Sequence, residues 1–564
     1  MKIRTISIIA AAIGIFMAVG CKKESEGITL GASIANDDNL AKVHLSSSDQ
    51  PLWDNGDSVW VNGDATRTIS DISNTDGTNA KIKGVTTSSS YLAIYPAGMA
   101  TGSASSASII IPATQSFEAG KIKFPMVAYS NNKHLFFYNL CSLIKVTVDN
   151  NTNAAFDLKK IIIKANNNYL SGTATLDIDA NNETVAATGL TSGYKTVTLK
   201  FPANTTIAAG GNKECYIAVA PFATSNDITI TVYTSNNKKY TRTRTISSLN
   251  SNTIASAKLN VDVLENTGYF TVNTTSNLKV RFSPGNLQYK SSSNNDNGTF
   301  RFAEHQYDYV GSSIRNNVGN VYVNGTKCNN VINGTTNGSN FHTNNLWIDL
   351  FGWGTSGHNR KGCYANTTNT NYGNGSNPIS GTNYDWGRQN SASLGNGTVI
   401  WRTLTQQEWN TLLTGRGNKF PLINNTQAKY LQVRLTDVTA NDVTILARGV
   451  IIFPDDFEWP ESIPFPTTLN TINVFSSSQQ YTLAQWSELE EAGAIYLPIT
   501  GYRSGVDSPT NNTYSNLYYW SATNVSNIQA YDIYFACNNS GSLTTNESRS
   551  RSNGCAVRLV TDVQ

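Results

Sequence analysis

The sequence predicts a mainly β protein: two N-terminal β-sandwiches followed by an α+β domain. Three observations carry this. Charged residues make up only 14 % of the 564, while Asn, Ser, Thr and Gly abound beside 26 Tyr and 10 Trp. That mixture suits short strands joined by polar loops rather than helical bundles. Through the first half, β-branched runs alternate apolar with polar residues, the period of a strand with one buried face. Near Glu265-Asn266-Thr267-Gly268 the composition shifts to aromatic-rich, Gly-rich loops and two capped helices. At about 100–200 residues per domain the length implies three or four domains. A formal net charge of +3 provides no basic surplus for nucleic acid and no acidic tail. Five His and seven Cys leave little material for a metal centre or redox pair. The chain reads as a secreted or surface protein that binds something.

Residues 1–20 read as an export signal. Lys2 and Arg4 precede an uncharged run from Thr5 to Gly20 that is shorter than the roughly 20 residues a spanning helix needs. Its end, Ala18-Val19-Gly20-Cys21, resembles the lipobox of bacterial lipoproteins, with Ala18 where Leu is usual. The resemblance implies that Cys21 is lipidated and anchors the chain in the outer membrane, with 21–27 as a tether. The alternative is an ordinary cleaved signal with an incidental cysteine. Six cysteines remain. Cys141 and Cys215 sit in apolar, strand-like stretches and read as core thiols. Cys328 with Cys363, and Cys537 with Cys555, lie nearer loops and strand ends and are candidate disulfides. No CxxC or Cys/His spacing of a zinc site occurs.

The sandwiches are assigned to 28–148 and 149–264. Their strands include Asp57-Ser58-Val59-Trp60-Val61, Leu143 to Val148, Lys195 to Lys200, Ile228 to Val232 and Tyr240 to Thr243. Carboxylates here sit beside Asn and Gly, as in Asp54-Asn55-Gly56-Asp57, which is turn chemistry. Pro51-Leu52-Trp53-Asp54-Asn55-Gly56-Asp57, Tyr91-Leu92-Ala93-Ile94-Tyr95-Pro96, the stretch from Tyr138 to Val146 and Tyr169-Leu170-Ser171-Gly172-Thr173-Ala174 resemble the fimbrillin family, subunits of type V pili. The resemblance implies transthyretin-like sandwiches and a lipoprotein precursor cut after a basic residue near the first strand. It also implies partners: neighbouring pilus subunits joined by donor-strand exchange. Lys42, in Leu40-Ala41-Lys42-Val43, is the candidate cut site, where fimbrillins more often present Arg; its other reading is a solvated edge charge.

The third domain spans 268–562. Thr405-Gln406-Gln407-Glu408 is a capping box, followed by Trp409, Leu412 and Leu413 on one helical stripe and Gly415 as its stop. Thr482-Leu483-Ala484-Gln485 repeats the device, with Trp486, Leu489 and Gly493. The stretches from Val280 to Tyr289, Ile348 to Thr355, Trp401 to Thr405, Leu497 to Arg503, Tyr519 to Thr523 and Gly554 to Val560 together resemble the C-type-lectin-like domains related to the Fibrobacter major paralogous family. The Glu-Pro-Asn and Trp-Asn-Asp signatures of calcium-dependent lectins are absent, as are the paired active-site cysteines of the related formylglycine-generating enzymes.

No residue is assigned as catalytic, and the chain reads as a non-enzyme. Asp455-Asp456-Phe457-Glu458-Trp459-Pro460-Glu461 is the densest carboxylate cluster, and four acids on one polar segment read as a solvated loop or a loop calcium site rather than a glycosidase pair. His305, His342 and His358 lie in polar surroundings suited to surface hydrogen bonding. No cofactor is assigned; abundant Asn and Asp oxygens leave calcium open. From Tyr502 to Asn553, Asn, Ser and Tyr make up close to half of the residues, the composition of antibody binding loops. Tyr502, Asn512, Tyr514, Tyr518, Asn524, Asn527, Tyr531, Tyr534, Asn538, Asn539, Arg549 and Asn553 are therefore the candidate contacts to a glycan or protein ligand. The strand from Ala530 to Phe535 is expected to display alternate residues outward. The stretch also resembles the variable region of diversity-generating retroelement targets. Against this, Asn/Ser/Tyr richness pervades the whole chain. The resulting expectation is a cell-surface pilus tip adhesin of the outer membrane; the alternatives are a surface lipoprotein that is never polymerised and a carbohydrate-active enzyme.

Overall fold

The structure, a computed structural model, describes residues 27–34, 44–45, 51–73, 77–119, 124–187, 190, 192–292, 295–310, 322–323, 326–327, 347–358, 373, 375–394, 399–440, 443–472, 479–504, 516–536 and 542–563. It is mainly β, as the composition predicts. The chain divides into two compact units that change over at Leu264 and Glu265, with Asn237–Lys239 grouped with the second.

In the first unit, seven strands close into a barrel in the order Ile28–Ile34, His134–Asn139, Met126–Ser130, Tyr91–Tyr95, Ser58–Val61, Asp64–Ser70, Asn79–Val85. The N-terminal strand Ile28–Ile34 makes the closure. It runs parallel to His134–Asn139 in the register Gly31↔His134 to Ile34↔Phe137, and antiparallel to Asn79–Val85. Leu30, Ala32 and Ile34 point inward and are buried, each large side chain contributing about 1.5–3 kcal/mol. Trp53 fills the barrel beside them, edge-on to Tyr95 at 5.5 Å and to Phe137 at 5.2 Å. Gly31 is required where it stands: a Cβ there would lie 2.4 Å from His134 Nδ1. Closure on both edges leaves the strand no free hydrogen-bonding side within the barrel.

A second core lies between a sheet centred on Phe156–Ala165, flanked by Thr196–Ile207 and Asn226–Thr234, and the three-stranded sheet Asn212–Val219, Ser142–Asn150, Thr253–Val261. Strands on either side of residue 148, where the sequence reading divides two sandwiches, exchange partners. Ser108–Ile111 pairs with Gly172–Asp179, and Thr114–Ser116 pairs with Thr196–Ile207. The Gln115 amide donates to Ala218 O at 2.7 Å and accepts from Ala218 N at 3.1 Å. Along Ser142–Asn150, Leu143 joins the barrel core while Ile144, Val146 and Val148 join the second. Cys141 and Cys215 are free, buried thiols, and burial pushes Cys215 up to about 12.

The second unit opens and closes on one sheet. Phe270–Asn273, Leu278–Phe282, Leu559–Asp562 and Arg402–Thr403 lie side by side, with Val280 opposite Asp562. Both predicted capping boxes form: Thr405 accepts from Glu408 N, and Thr482 accepts from Gln485 N. The helix Gln406–Asn410 continues as a π-helical turn, Thr411–Gly415, which seats Leu412 and Leu413 in the core. A third helix, Trp386–Leu394, was not legible because its Gly, Asn and Ser are weak helix formers.

Two members of the acidic cluster, Asp455 and Asp456, depart from the solvated loop expected of it, while Glu458 is exposed. The Asp455 side chain is buried, accepting from Arg416 Nη1 at 2.9 Å and from Thr271 N at 3.2 Å. Arg416, itself buried, also donates to Phe453 O at 2.8 Å. The reason is charge pairing: a carboxylate can enter a core beside a guanidinium that is itself held there, Arg416 Nε donating to Leu412 O at 2.9 Å and Nη1 to Phe453 O. Asp456 accepts from Gly268 N at 3.1 Å. His305 stacks on Tyr307 at 5.0 Å, and His358 packs edge-on to Tyr384; His342 lies outside the described residues. Among the described residues, no three His, Cys, Asp or Glu side chains group as a metal site.

Candidate ligand-binding site

Most of the described candidate contacts fall on or beside one antiparallel sheet, Asn516–Asn524, Gln529–Ala536 and Ser542–Ser550. Its register sets Tyr518 opposite Tyr534, Trp520 opposite Asp532, Asp532 opposite Glu547 and Ala530 opposite Arg549. Alternation sends Leu517, Tyr519, Ile533 and Phe535 into one core, and Tyr518, Trp520, Ala522 and Ala530 into another. Both faces are thus covered, and the expected outward display along Ala530 to Phe535 does not occur. Ile533, Phe535 and Asp532 are buried, while Tyr531 and Tyr534 are half-buried. A register shift between Asp532 and Tyr534 breaks the strict two-residue period there.

What the sheet builds instead is a cluster at Arg549. Its guanidinium carbon lies 4.1 Å from the Tyr518 ring centroid, 4.7 Å from Tyr502 and 5.9 Å from Tyr534. Tyr518 stacks on Tyr534 at 5.0 Å and meets Tyr502 edge-on at 5.0 Å. Arg549 Nε donates to Asp532 Oδ2 at 2.8 Å. At the far end of the rings, Asn516 Nδ2 donates to Tyr518 Oη at 3.1 Å and to Tyr534 Oη at 3.4 Å. Each cation–π contact is worth about 0.5–2 kcal/mol, more when water is excluded. Burial pushes the Asp532 carboxyl up to about 6, with the Arg549 charge pulling the other way. Arg549 is held above its ordinary value: burial lowers it, but Asp532 outweighs that. At neutral pH both are charged. Asp532 Oδ1 and Asn516 Oδ1 are buried acceptors with no donor.

Tyr502, Tyr518, Tyr534 and Arg549 are therefore brought together. The other described contacts lie apart from that cluster: Asn524 donates to Ser376 O at 2.6 Å, Asn527 is exposed, and Tyr531 and Asn553 are half-buried. Asn512, Tyr514, Asn538 and Asn539 lie outside the described residues, as do Cys21, Lys42, Cys328, Cys363 and Cys537. Cys555 is a free thiol, not half of a bridge; it sits in the tryptophan-rich core, and burial holds its thiol well above the ordinary value. Sequence reasoning missed Asn516, Asp532 and Glu547. The one available signal was an acid, Asp532, in an otherwise apolar and aromatic strand, where a charge needs a partner.

Arranged this way, the cluster has no nucleophile beside a base. It offers aromatic surface and hydrogen-bonding groups held by packing, which suits recognition.

No family model matches the chain, and no curated protein matches it. The solved structures that overlap it in part include three candidate cell adhesion proteins. That from Bacteroides ovatus is 14 % identical, with a TM-score of 0.26, covering 43 % of this chain and 95 % of its own. That from Bacteroides uniformis is 11 % identical, with a TM-score of 0.27, covering 43 % and 96 %. That from Bacteroides fragilis is 13 % identical, with a TM-score of 0.23, covering 42 % and 91 %. The overlap is loose throughout.

Proposed function

We propose that this chain is a non-enzymatic cell-surface adhesin, lipid-anchored at Cys21, whose C-terminal C-type-lectin-like domain grips a glycan or protein at the Arg549 cluster. One observation carries the reading: three tyrosines and an arginine are locked together by stacking and a buried carboxylate, so the half-buried Tyr502, Tyr534 and Arg549 are presented without an ordering cost at binding. The densest acidic cluster supports a non-catalytic reading, since Asp455 is committed to Arg416 and Thr271.

The pilus reading draws on the barrel. Lys42 follows the strand Ile28–Ile34 in sequence, so a cut there frees that strand from the rest of the chain. Its departure opens the barrel between His134–Asn139 and Asn79–Val85 and uncovers the seats of Leu30, Ala32 and Ile34. That is a groove for an extended strand of a neighbouring subunit.

Two experiments test this. The full chain is screened on glycan and host-protein arrays, with Tyr502→Ala/Tyr534→Ala as control. Binding that the double variant weakens by about tenfold or more fits loss of two aromatic contacts; binding it leaves unchanged removes the site. Cells bearing the chain are treated with a trypsin-like protease. A filament-bound fragment starting at Val43 is expected, and an uncut chain that never polymerises would leave only the anchored adhesin.

A further inference from the structure

We propose that the Arg549 fork is the anchor for the carboxylate or sulfate of an acidic saccharide, an inference that rests on the binding reading above and names its ligand class. Arg549 spends only Nε on the protein, in the bond to Asp532. Neither Nη1 nor Nη2 donates to an acceptor among the described residues, and neither is sealed from solvent. The side chain keeps 16 % of its surface exposed while Asp532 keeps none.

The guanidinium is thus fixed from behind and open in front. Its plane is held by Tyr518 at 4.1 Å and Tyr502 at 4.7 Å, and its position by Asp532. Two parallel N–H groups on a rigid fork match the two oxygens of a carboxylate or a sulfate edge, a geometry that a lysine cannot reproduce. Asp532 offsets the Arg549 charge from the buried side through Nε alone, leaving the outer nitrogens available.

The class of ligand follows from what surrounds the fork. Tyr502 and Tyr534 are half-buried rings at its rim, and flat aromatic surface suits the C–H faces of a pyranose. One group opposes an anion. Glu547 is exposed and stands opposite Asp532 in the register, raising its pKa by like charge. It tunes the site downward, and its removal is a gain-of-affinity test.

The experiment uses the full chain with four immobilised polymers: polygalacturonate, dextran sulfate, neutral dextran and polyglutamate. Retention of either acidic polysaccharide over dextran by about tenfold is expected from one charge-assisted fork, and the two acidic arms separate carboxylate from sulfate. Arg549→Lys should lose about tenfold of that affinity, as a bidentate pair becomes a point charge. Arg549 also neutralises Asp532, so a second variant guards against misfolding. Glu547→Gln touches no buried pair and should tighten acidic binding by about two- to fivefold, the effect of one surface charge. Polyglutamate held as tightly as the polysaccharides overturns the saccharide assignment in favour of an acidic peptide. Acidic binding that ignores both variants, or dextran retained equally well, overturns the anchor. In those cases the adhesin reading stands if Tyr502→Ala/Tyr534→Ala still abolishes capture on the arrays. Capture of none of the polymers overturns the inference, and silent arrays as well would take the binding reading with it.

Discussion

At Arg549 and Asp532 the residue scale decides what the site can be. A buried ion pair is weak evidence of net stability, because desolvation offsets most of the attraction, yet removing one partner strands the other. Asp532→Ala should therefore lower the unfolding free energy by about 3–5 kcal/mol, whereas Asp532→Asn with Arg549→Met, which removes both charges, should cost much less. Urea titration of the two variants checks this, and equal losses would deny the coupling. Arg416 and Asp455 obey the same rule. Asp455→Asn with Glu458→Gln is expected to reduce stability and leave ligand capture intact, as read by thermal melts beside array binding. Loss of a hydrolytic turnover instead would revive the enzymatic reading. These pairings were the least legible part of the sequence. Tyr502, Tyr518, Tyr534 and Arg549 were named from composition, but their convergence depends on register. Asp532, their organiser, showed only as one acid in an apolar and aromatic strand with no partner in view, and Asp455 looked like a solvated one. Side-chain partners between 17 and 184 residues apart leave no local trace.

Elements were easier to read where their chemistry is local. The two capping boxes each rest on four consecutive residues, and both formed. Thr405→Ala should cost about 1 kcal/mol by removing a side-chain acceptor from the Glu408 amide; a shift in denaturation midpoint without a change in slope is the expected signature. Strands with strict alternation, such as Ser142–Asn150 and Asn226–Thr234, also announced themselves. The helix Trp386–Leu394 did not, since its order comes from Asp385, which accepts from Gly387 N at 3.0 Å and Thr403 N at 3.1 Å. Barrel closure was equally hidden, because parallel pairing of Ile28–Ile34 with a strand a hundred residues later follows no turn. Gly31→Val should destabilise the first unit by about 1–3 kcal/mol, the penalty of overpacking against His134. Faster amide exchange across Leu30 to Ile34 would report it.

For the whole molecule, the two units differ in how their carboxylates respond to acid. In the second unit, burial raises Asp308, Asp385 and Asp532 to about 6. Between an unfolded value of about 3.9 and about 6, its folded form holds more protons than its unfolded form. Stability therefore rises as pH falls through that window. In the first unit, Asp64, Asp71 and Asp179 are instead lowered by hydrogen bonds from Thr66, Lys83 and Asn182, but they are exposed and weigh little. Only Trp53 and Trp60 precede residue 265, so the other eight of ten tryptophans report on the second unit. The midpoint followed by tryptophan fluorescence should rise between pH 7 and pH 5; a fall would contradict the buried-carboxylate assignment. At this scale the compositional break near Glu265 was visible in the sequence. The exchange of strands across residue 148 was not, because alternating runs reveal that strands exist without revealing their neighbours.

The double covering of the C-terminal sheet also limits how such a chain can change its taste. Leu517, Tyr519, Trp520, Ile533 and Phe535 are wedged between two interiors, so novelty there would be punished by misfolding before any new guest was met. Positions at the margin, among them Asn527, Tyr531 and Glu547, can be rewritten at little structural risk. A lineage exploring new surfaces would leave its history along that margin, around an unaltered middle.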